Sequence, residues 1–370
     1  MTIARAINNP AFMYKQAFLQ RNSALLIVIL IATATGARTA NSAETTTKDA
    51  MLHNTAQHVI IPAYQNLAAK SQTLCHTIEK LNHTPTSDSR TNVLQAWLET
   101  QIAAREIQWL QTGPIADHEF LATFYYGKII PTQIDAVMSS TRAIDASYLD
   151  EISASAKGLS ALEYLLYGEQ SVATSTSTNA PRRGQLLLAI AEDVHRKAAA
   201  ISADWAKTNR LDAAPKFSAG GQETLNTLVN ALTRIIENIA EEHLNLALRL
   251  PSPITRQLDR IEGARSSTSL PQLSGMLRGA YNTYHGSTGS GLNNYLSGLN
   301  PALATRVEHQ FQESLSALKA IPSPLQTALV EQTELVKRAY EAVRNLEILY
   351  KVDVASALGV TITFSSNDGD

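Results

Sequence analysis

The amino-acid sequence predicts an all-α protein that folds as two tandem helix bundles. Only 17 glycines and 13 prolines occur in 370 residues, so residues that break helices are sparse. Apolar side chains recur at helical spacing along most of the chain, and the two-residue alternation of strands is rare. The segments that interrupt this pattern are short and rich in Gly, Pro, Ser or Thr, as loops between helices are.

The first predicted helix covers residues 47–83, where Pro62 either kinks one long helix or begins a second one. A polar loop over residues 84–89 follows it. Further helices are predicted over residues 90–111 (ending at Gly113-Pro114), 129–150, 151–168, 181–208, 222–250, 269–284, 301–320 and 323–358, with loops over residues 171–179, 209–221 and 285–291.

The break at residues 209–221 divides the chain almost equally. We therefore predict an N-terminal bundle over residues 44–208 and a C-terminal bundle over residues 209–370. Each half has about four helices and opens with a long one. An ancient duplication would leave this pattern, although the identity between the halves is low.

Residues 1–43 have the organisation of a secretory signal. Arg5, Lys15 and Arg21 precede the unbroken apolar run at residues 24–32, and small residues follow up to Ala43. The run is shorter than the roughly 20 residues that span a bilayer. We expect removal of residues 1–43 and export to the periplasm, with an uncleaved membrane anchor as the alternative.

The composition excludes several classes of protein. Residues 1–43 contain four basic and no acidic residues, which leaves 27 basic and 33 acidic residues in the rest. An acidic body without a basic stripe makes nucleic acid an unlikely partner class on electrostatic grounds. Cys75 is the single cysteine, so an internal disulfide and cysteine-ligated clusters are excluded. The sequence also lacks a His-Glu-x-x-His zinc motif, a Gly-x-Ser-x-Gly elbow and a nucleotide-binding glycine loop.

Four segments together resemble the imelysin family, and the last two are the specific ones. The segments are Ile60–Leu67, the helix from Trp97 to Gly113-Pro114, Gly158–Gly168, and Leu358–Thr361 followed by Asp368-Gly369-Asp370. The resemblance implies a periplasmic or outer-membrane-associated protein with two helical bundles. It also implies a link to iron regulation and uptake, and some members of the family were described as metallopeptidases.

The family signature is Gly-x-His-x-x-Glu. Gly158 and Glu163 match it, but Ser160 stands where the histidine would be. On a helix, Ser160, Glu163 and Tyr167 form a polar stripe apart from the buried face of Leu159, Leu162, Leu165 and Leu166. Serine is a poor ligand for first-row metal ions, so this departure argues against metal binding and peptidase activity at the motif.

Glu163 remains the first candidate for a metal or ligand contact, with iron or another divalent ion as the implied cofactor. It can equally accept a hydrogen bond, pair with an arginine or belong to a solvated stripe. Ligand contacts are also assigned to Ser160, Asp368 and Asp370. Trp97, Arg105 and Glu106 on the second helix could line a cleft between the bundles, although a tryptophan is more often plain core.

Three His/Glu pairs have a spacing that allows a shared metal ion on one helix face. They are Glu192/His195, His76/Glu79 and His309/Glu313. Chance pairing of nine histidines with many acidic residues produces such spacings, so solvated positions are the expectation for each.

Two functions from different classes compete. The favoured one is an exported non-enzymatic protein that binds a ligand or metal between two bundles and serves iron acquisition. The alternative is a metallopeptidase of the imelysin type. A structural partner in an outer-membrane complex is a third, weaker interpretation, and iron-uptake or outer-membrane components are the implied partners.

Overall fold

The computed structural model describes residues 46–111, 123–124, 129–168, 180–208, 221–250 and 261–363. Within these ranges the chain is helical and contains no strand, which confirms the all-α prediction. Three π-helical turns, at Ala56–Ile60, Asn238–Asn245 and Leu349–Val354, connect some of the helices. The α-helices are α1 (Lys48–Thr55), α2 (Ile61–His83), α3 (Ser87–Ile107), α4 (Pro131–Ser139), α5 (Ala146–Glu151), α6 (Gly158–Tyr167), α7 (Ala180–Thr208), α8 (Gly221–Glu237), α9 (Leu246–Arg249), α10 (Ser269–His285), α11 (Leu292–Leu299), α12 (Pro301–Ala320), α13 (Leu325–Glu331), α14 (Thr333–Ile348) and α15 (Ala355–Leu358).

The first two helices run on from one another through a π-helical turn. The amide of Ile61 donates to the carbonyl of Ala56, five residues earlier. Pro62 follows at once, in the first turn of α2. A proline cannot donate the hydrogen bond that an amide would make there, and the wider π-helical turn directly before it separates the two α-helical hydrogen-bond patterns. Pro62 therefore begins a second helix without breaking the helical path.

Helix α2 is central to the N-terminal part, because it packs extensively against both α7 and α3. The apolar spacing over residues 181–208 predicts one buried stripe, and in α7 this stripe is buried throughout. Its residues are Leu187, Ala191, Val194, Ala198, Ile201 and Trp205.

Helices α3 and α10 lie on opposite sides of the 209–220 segment in sequence and pack against each other. Two glycines of α10, one turn apart, allow this approach. A Cβ atom on Gly279 would lie 1.8 Å from the carbonyl oxygen of Glu106, and one on Gly275 would lie 3.3 Å from Cβ of Arg105. The close contact brings the last turns of α3 beside the first turns of α10, where the candidate site lies.

Two of the predicted long helices are interrupted. The predicted helix 129–150 is α4 and α5, because Ser140 is extended and the Asp145 side chain caps α5 by accepting from the amide of Tyr148 at 2.9 Å. The predicted helix 323–358 begins at Leu325 and breaks at Gln332. Helix α11 was not predicted. It starts directly after Gly291, and the Gly291 amide donates to the Asn294 side chain at 3.0 Å.

Several sequence predictions fall outside the described residues. These are the signal at residues 1–43, Gly113-Pro114, the loop 171–179, most of the 209–221 break, and Asp368 and Asp370. None of the helices in the described ranges has both the length and the hydropathy of a transmembrane helix. A boundary between two bundles at residue 209 stays a prediction.

Candidate functional site

Helix α6 begins at the motif glycine. Gly158 has φ of 79°, in the left-handed region that glycine adopts at little cost. The preceding Lys157 is buried, and its ammonium group donates to the Leu149 carbonyl at 3.0 Å. The Leu159 carbonyl accepts from the indole N–H of Trp97 at 3.1 Å. These contacts hold the first turn of α6 in place and leave Ser160 and Glu163 on its half-buried side.

The Glu163 carboxylate is bound by the loop that precedes α10. Its Oε1 atom accepts from the Ser266 amide at 3.0 Å and from the Ser266 hydroxyl at 2.6 Å. The next residue, Ser267, has a positive φ of 61°, which is uncommon outside glycine. The loop thus presents two donors of one serine to the motif carboxylate, across 103 positions of sequence.

A directed chain of hydrogen bonds continues from Ser266 into α10. Since the Ser266 hydroxyl proton is used on Glu163, the Thr268 hydroxyl donates to Ser266 Oγ, 2.7 Å away. Gln272 Nε2 donates to Thr268 Oγ1 at 2.9 Å, and Arg105 Nε donates to Gln272 Oε1 at 3.1 Å. Every donor in this chain faces Glu163, so the chain requires an acceptor at its end.

The Arg105 guanidinium is the other end of the chain and is only 1% exposed. It also donates to Gln108 at 2.7 Å and pairs with the Glu262 carboxylate. The second oxygen of Glu262 lies 3.8 Å from His243 Nε2. The residues around Arg105 therefore come from α3, the π-helical turn after α8, the loop before α10 and α10 itself.

Burial and neighbouring charges move the pKa values of these groups in different directions. Burial raises the pKa of Glu163, and the Ser266 donors and Arg265 only partly offset it. Burial also opposes ionisation of Glu262, but Arg105 and His243 outweigh it and lower the pKa of Glu262. Burial lowers the pKa of His243. Burial together with the charge of Glu163 raises the pKa of Tyr167 to about 12.

A small cavity adjoins the Arg105 end of the site. It is lined by Arg105, Glu242, His243, Glu262 and Gln272, together with apolar side chains. Its volume is about 10 Å³, which is room for about one water molecule. In this conformation the cavity admits a single polar group.

The donor set does not fit a transition metal ion at Glu163. One carboxylate oxygen is already held by Ser266, and Ser160 offers only a neutral hydroxyl. Across the described ranges, no three His, Cys, Asp or Glu side chains are arranged so that they could share a metal ion.

Comparison with known proteins agrees with the predicted family and the fold. The model of the peptidase family M75, described as imelysin, matches residues 60–350. The chain belongs to the imelysin family. The segment Gly158-x-Ser160-x-x-Glu163 lies within the matched residues.

Relatives of this imelysin-family chain carry iron-related names. It is 27% identical over 281 residues to iron-regulated protein A of Synechococcus elongatus, covering 73% of this chain and 75% of that protein. The crystal structure of an iron-regulated protein A precursor from Parabacteroides distasonis superposes with a TM-score of 0.72 at 16% identity, over 86% of this chain and 97% of that one. An imelysin-like protein from Psychrobacter arcticum gives 0.68 at 19% identity, with the same coverage. These two structures establish a shared fold.

The other residues predicted for the imelysin site are placed separately. Trp97 is fully buried, and its ring lies 5.4 Å from that of Tyr167. Glu106 accepts from Arg278 Nε of α10 at 2.6 Å. Ser160 is half-buried on the first turn of α6. Of the residues predicted for the site, the structure brings Glu163 and Arg105 into the hydrogen-bond chain.

The predicted His/Glu pairs lie elsewhere. His195 Nδ1 lies 3.1 Å from the Ala68 carbonyl and so joins α7 to α2, while Glu192 is exposed. His76 is exposed on α2, and His309 and Glu313 are exposed on α12.

Sequence reasoning missed Ser266, Thr268, Gln272 and Glu262. The run Arg265-Ser266-Ser267-Thr268 before a helix is a weak signal, because polar residues are common at helix starts. Nothing in the sequence connects that run with Glu163.

Two substitutions at Glu163 are expected to have different effects on stability. Glu163→Ala removes the acceptor of the chain, and we expect it to lower the free energy of unfolding by about 1–2 kcal/mol at pH 7. Glu163→Gln keeps an oxygen for Ser266 and removes the charge whose burial is unfavourable. We expect it to be nearly neutral.

The pH dependence of unfolding tests the burial of the Glu163 carboxylate. A raised pKa in the folded state means that Glu163 contributes stability at acidic pH, which is lost as the pH rises through that raised pKa. The free energy of unfolding of Glu163→Gln, relative to that of the wild type, should therefore rise as the pH is raised from about 4 to about 7. The lower limit is set by the ordinary pKa of a glutamate carboxyl, and urea unfolding measures the change. A constant difference across this range would contradict the burial argument.

Proposed function

We propose that this imelysin-family chain is an exported, non-enzymatic binding component that serves iron acquisition. The hydrogen-bond chain from Arg105 to Glu163 carries this proposal. It holds one oxygen of the motif carboxylate in protein contacts, and no set of metal ligands among the described residues lies beside it. A ligand is then recognised by hydrogen bonds and charge at the Arg105 end, where the cavity admits one polar group.

The iron link and the location rest on the relatives. The Synechococcus protein is named iron-regulated, and the Parabacteroides protein is called a precursor. Together with the signal-like residues 1–43, these names support an exported, periplasmic protein. Association with the outer membrane is proposed from the family resemblance alone. Iron-uptake or outer-membrane components are the proposed partners.

A metal titration tests the non-enzymatic role. We expect calorimetry with iron(II) under anaerobic conditions, and with zinc(II), to show no tight stoichiometric binding by the wild type. Ser160→His recreates a His/Glu pair at i, i+3 on α6, so it should raise metal affinity by about tenfold or more. The matched control is Ser160→His combined with Glu163→Ala, which should lose that gain.

Two results would reject the proposal. Tight wild-type binding that survives Glu163→Ala would place a metal site elsewhere in the chain. Chelator-sensitive cleavage of casein by the wild type would show that the metallopeptidase alternative is right.

A further inference from the structure

A second cleft lies on a part of the molecule that the proposed function does not use. It has a volume of about 280 Å³ and lies between the end of α3, helix α8 and the segment after α15. This is close to the lower end of the range for sites of small ligands. Its lining includes Trp109, Gln111, Asn226, Arg234, Thr361 and Thr363.

One wall of the cleft is fixed by side-chain amides of α8. Asn230 Nδ2 donates to the Thr361 carbonyl at 2.9 Å, and Asn230 Oδ1 accepts from the Thr363 amide at 2.8 Å. Gln222 Nε2 donates to the Leu358 carbonyl at 3.1 Å. The extended segment after α15 is thereby tied to α8, and the cleft has a defined wall.

Two donor side chains line the cleft, those of Arg234 and Asn226, and a third donor is buried in its wall; none of the three has an acceptor within the described part of the chain. Arg234 is exposed and forms no ion pair there, and no carboxylate of a described residue lines the cleft. Trp109 is 3% exposed, and its buried indole N–H has no hydrogen-bond partner. The Asn226 Oδ1 atom already accepts from Gln222 at 3.2 Å, which leaves its Nδ2 group as a donor.

This set of groups matches an oxyanion that also carries a hydroxyl. A planar guanidinium binds a carboxylate with two parallel hydrogen bonds, and the Asn226 amide adds a second donor. Gln111 Nε2 donates to the Gln108 carbonyl at 3.5 Å, so its Oε1 remains to accept from a ligand hydroxyl. We propose that this cleft binds a small hydroxycarboxylate anion. The proposal is independent of Glu163 and of iron.

Calorimetric titration of the purified protein with citrate tests this proposal. We expect one site per chain and weaker binding of tricarballylate, which has the same carboxylates without the hydroxyl. Arg234→Gln should weaken citrate binding by about tenfold or more, because the charged bidentate contact is lost. Asn226→Asp keeps the acceptor for Gln222 but adds a negative charge to the cleft, and it should also weaken binding.

The matched control is Arg338→Gln, which changes an exposed arginine of α14 and should leave citrate binding unchanged. Unchanged melting temperatures will show that the variants are folded. The proposal is overturned if citrate does not bind, or if Arg234→Gln binds as well as the wild type. It is also overturned if binding appears only after residues 364–370 are deleted, since the cleft would then belong to the chain's own acidic segment.

Discussion

Replacing Arg105 with methionine is expected to lower the free energy of unfolding by about 3–5 kcal/mol, because it leaves a buried acceptor network without its cation. The guanidinium is 1% exposed, and it serves Gln272, Gln108 and Glu262 together. Methionine fills a similar volume, so the loss would come from unpaired polar groups and not from a cavity. Urea unfolding at pH 7 measures the change.

A double-mutant cycle with Glu262→Gln separates the charge pair from the rest of the network. We expect the double variant to be more stable than the sum of the single changes predicts, because it buries no uncompensated carboxylate. The control is Arg278→Met, which removes the ion-pair partner of Glu106. The Arg278 side chain is 43% exposed. It should cost less than about 1 kcal/mol.

Acid provides a second readout of the Arg105–Glu262 pair. Because the pKa of Glu262 is lowered, the pair contributes stability above the ordinary carboxyl range, and this contribution is lost as the pH falls through the lowered pKa. Without Arg105, burial alone would raise the pKa of Glu262 and favour its neutral form. The difference between wild type and Arg105→Met should therefore shrink on acidification, and a difference that grows would contradict the pairing.

The sequence carries most of the helical content because each helix buries one regular stripe. Helix α12 has the predicted bounds, residues 301–320. The stripe predicted for α7 is also buried. Apolar side chains that recur every 3.6 residues lie on one face of a helix, and that face must be buried whichever helix packs against it. Periodicity does not reveal the end of a helix when the next helix continues the same apolar pattern. Gln332 ends α13 without any change of hydrophobic pattern.

Short capped helices and π-helical turns are also not revealed by the apolar periodicity of the sequence. Helix α11 has eight residues, and the glycine-rich segment before it obscures its start. The π-helical turn at Asn238–Asn245 adds one residue to a turn, which shifts the phase of a stripe without ending it. His243 lies in that turn, so its side-chain direction does not follow from the spacing of α8.

The sequence predicts the residues of the local motif in the candidate site, but not the partners that helix packing brings to it. Glu163 follows from a local motif, and Gly158 from the turn that starts α6. The partners Ser266, Thr268 and Gln272 lie about a hundred positions later, and they meet Glu163 through the packing of α10 on α3. That packing depends on small residues at the helix contact, which single-sequence periodicity does not identify as a pair.

Gly279→Ala is therefore expected to be strongly destabilising, at about 3 kcal/mol, the upper end of the usual cost of overpacking. The added Cβ atom would lie 1.8 Å from the Glu106 carbonyl oxygen and 2.5 Å from its carbon. A main-chain carbonyl cannot rotate away as a side chain can, so α3 and α10 must separate. The gain of about 1 kcal/mol from replacing a helical glycine by alanine is smaller than this cost.

Gly275→Ala is the matched control, one turn earlier on the same face of α10. Its Cβ atom would meet Arg105 Cβ at 3.3 Å and the Ile102 carbonyl oxygen at 3.4 Å, contacts that a shift of a few tenths of an ångström relieves. The helix propensity gain offsets this strain, and we expect a change within about 1 kcal/mol in urea unfolding. Equal effects of the two substitutions would contradict the close approach at Glu106. A loss confined to Gly279→Ala would show that helix separation there, and not the loss of glycine as such, loosens the frame that holds Arg105 beside Gln272.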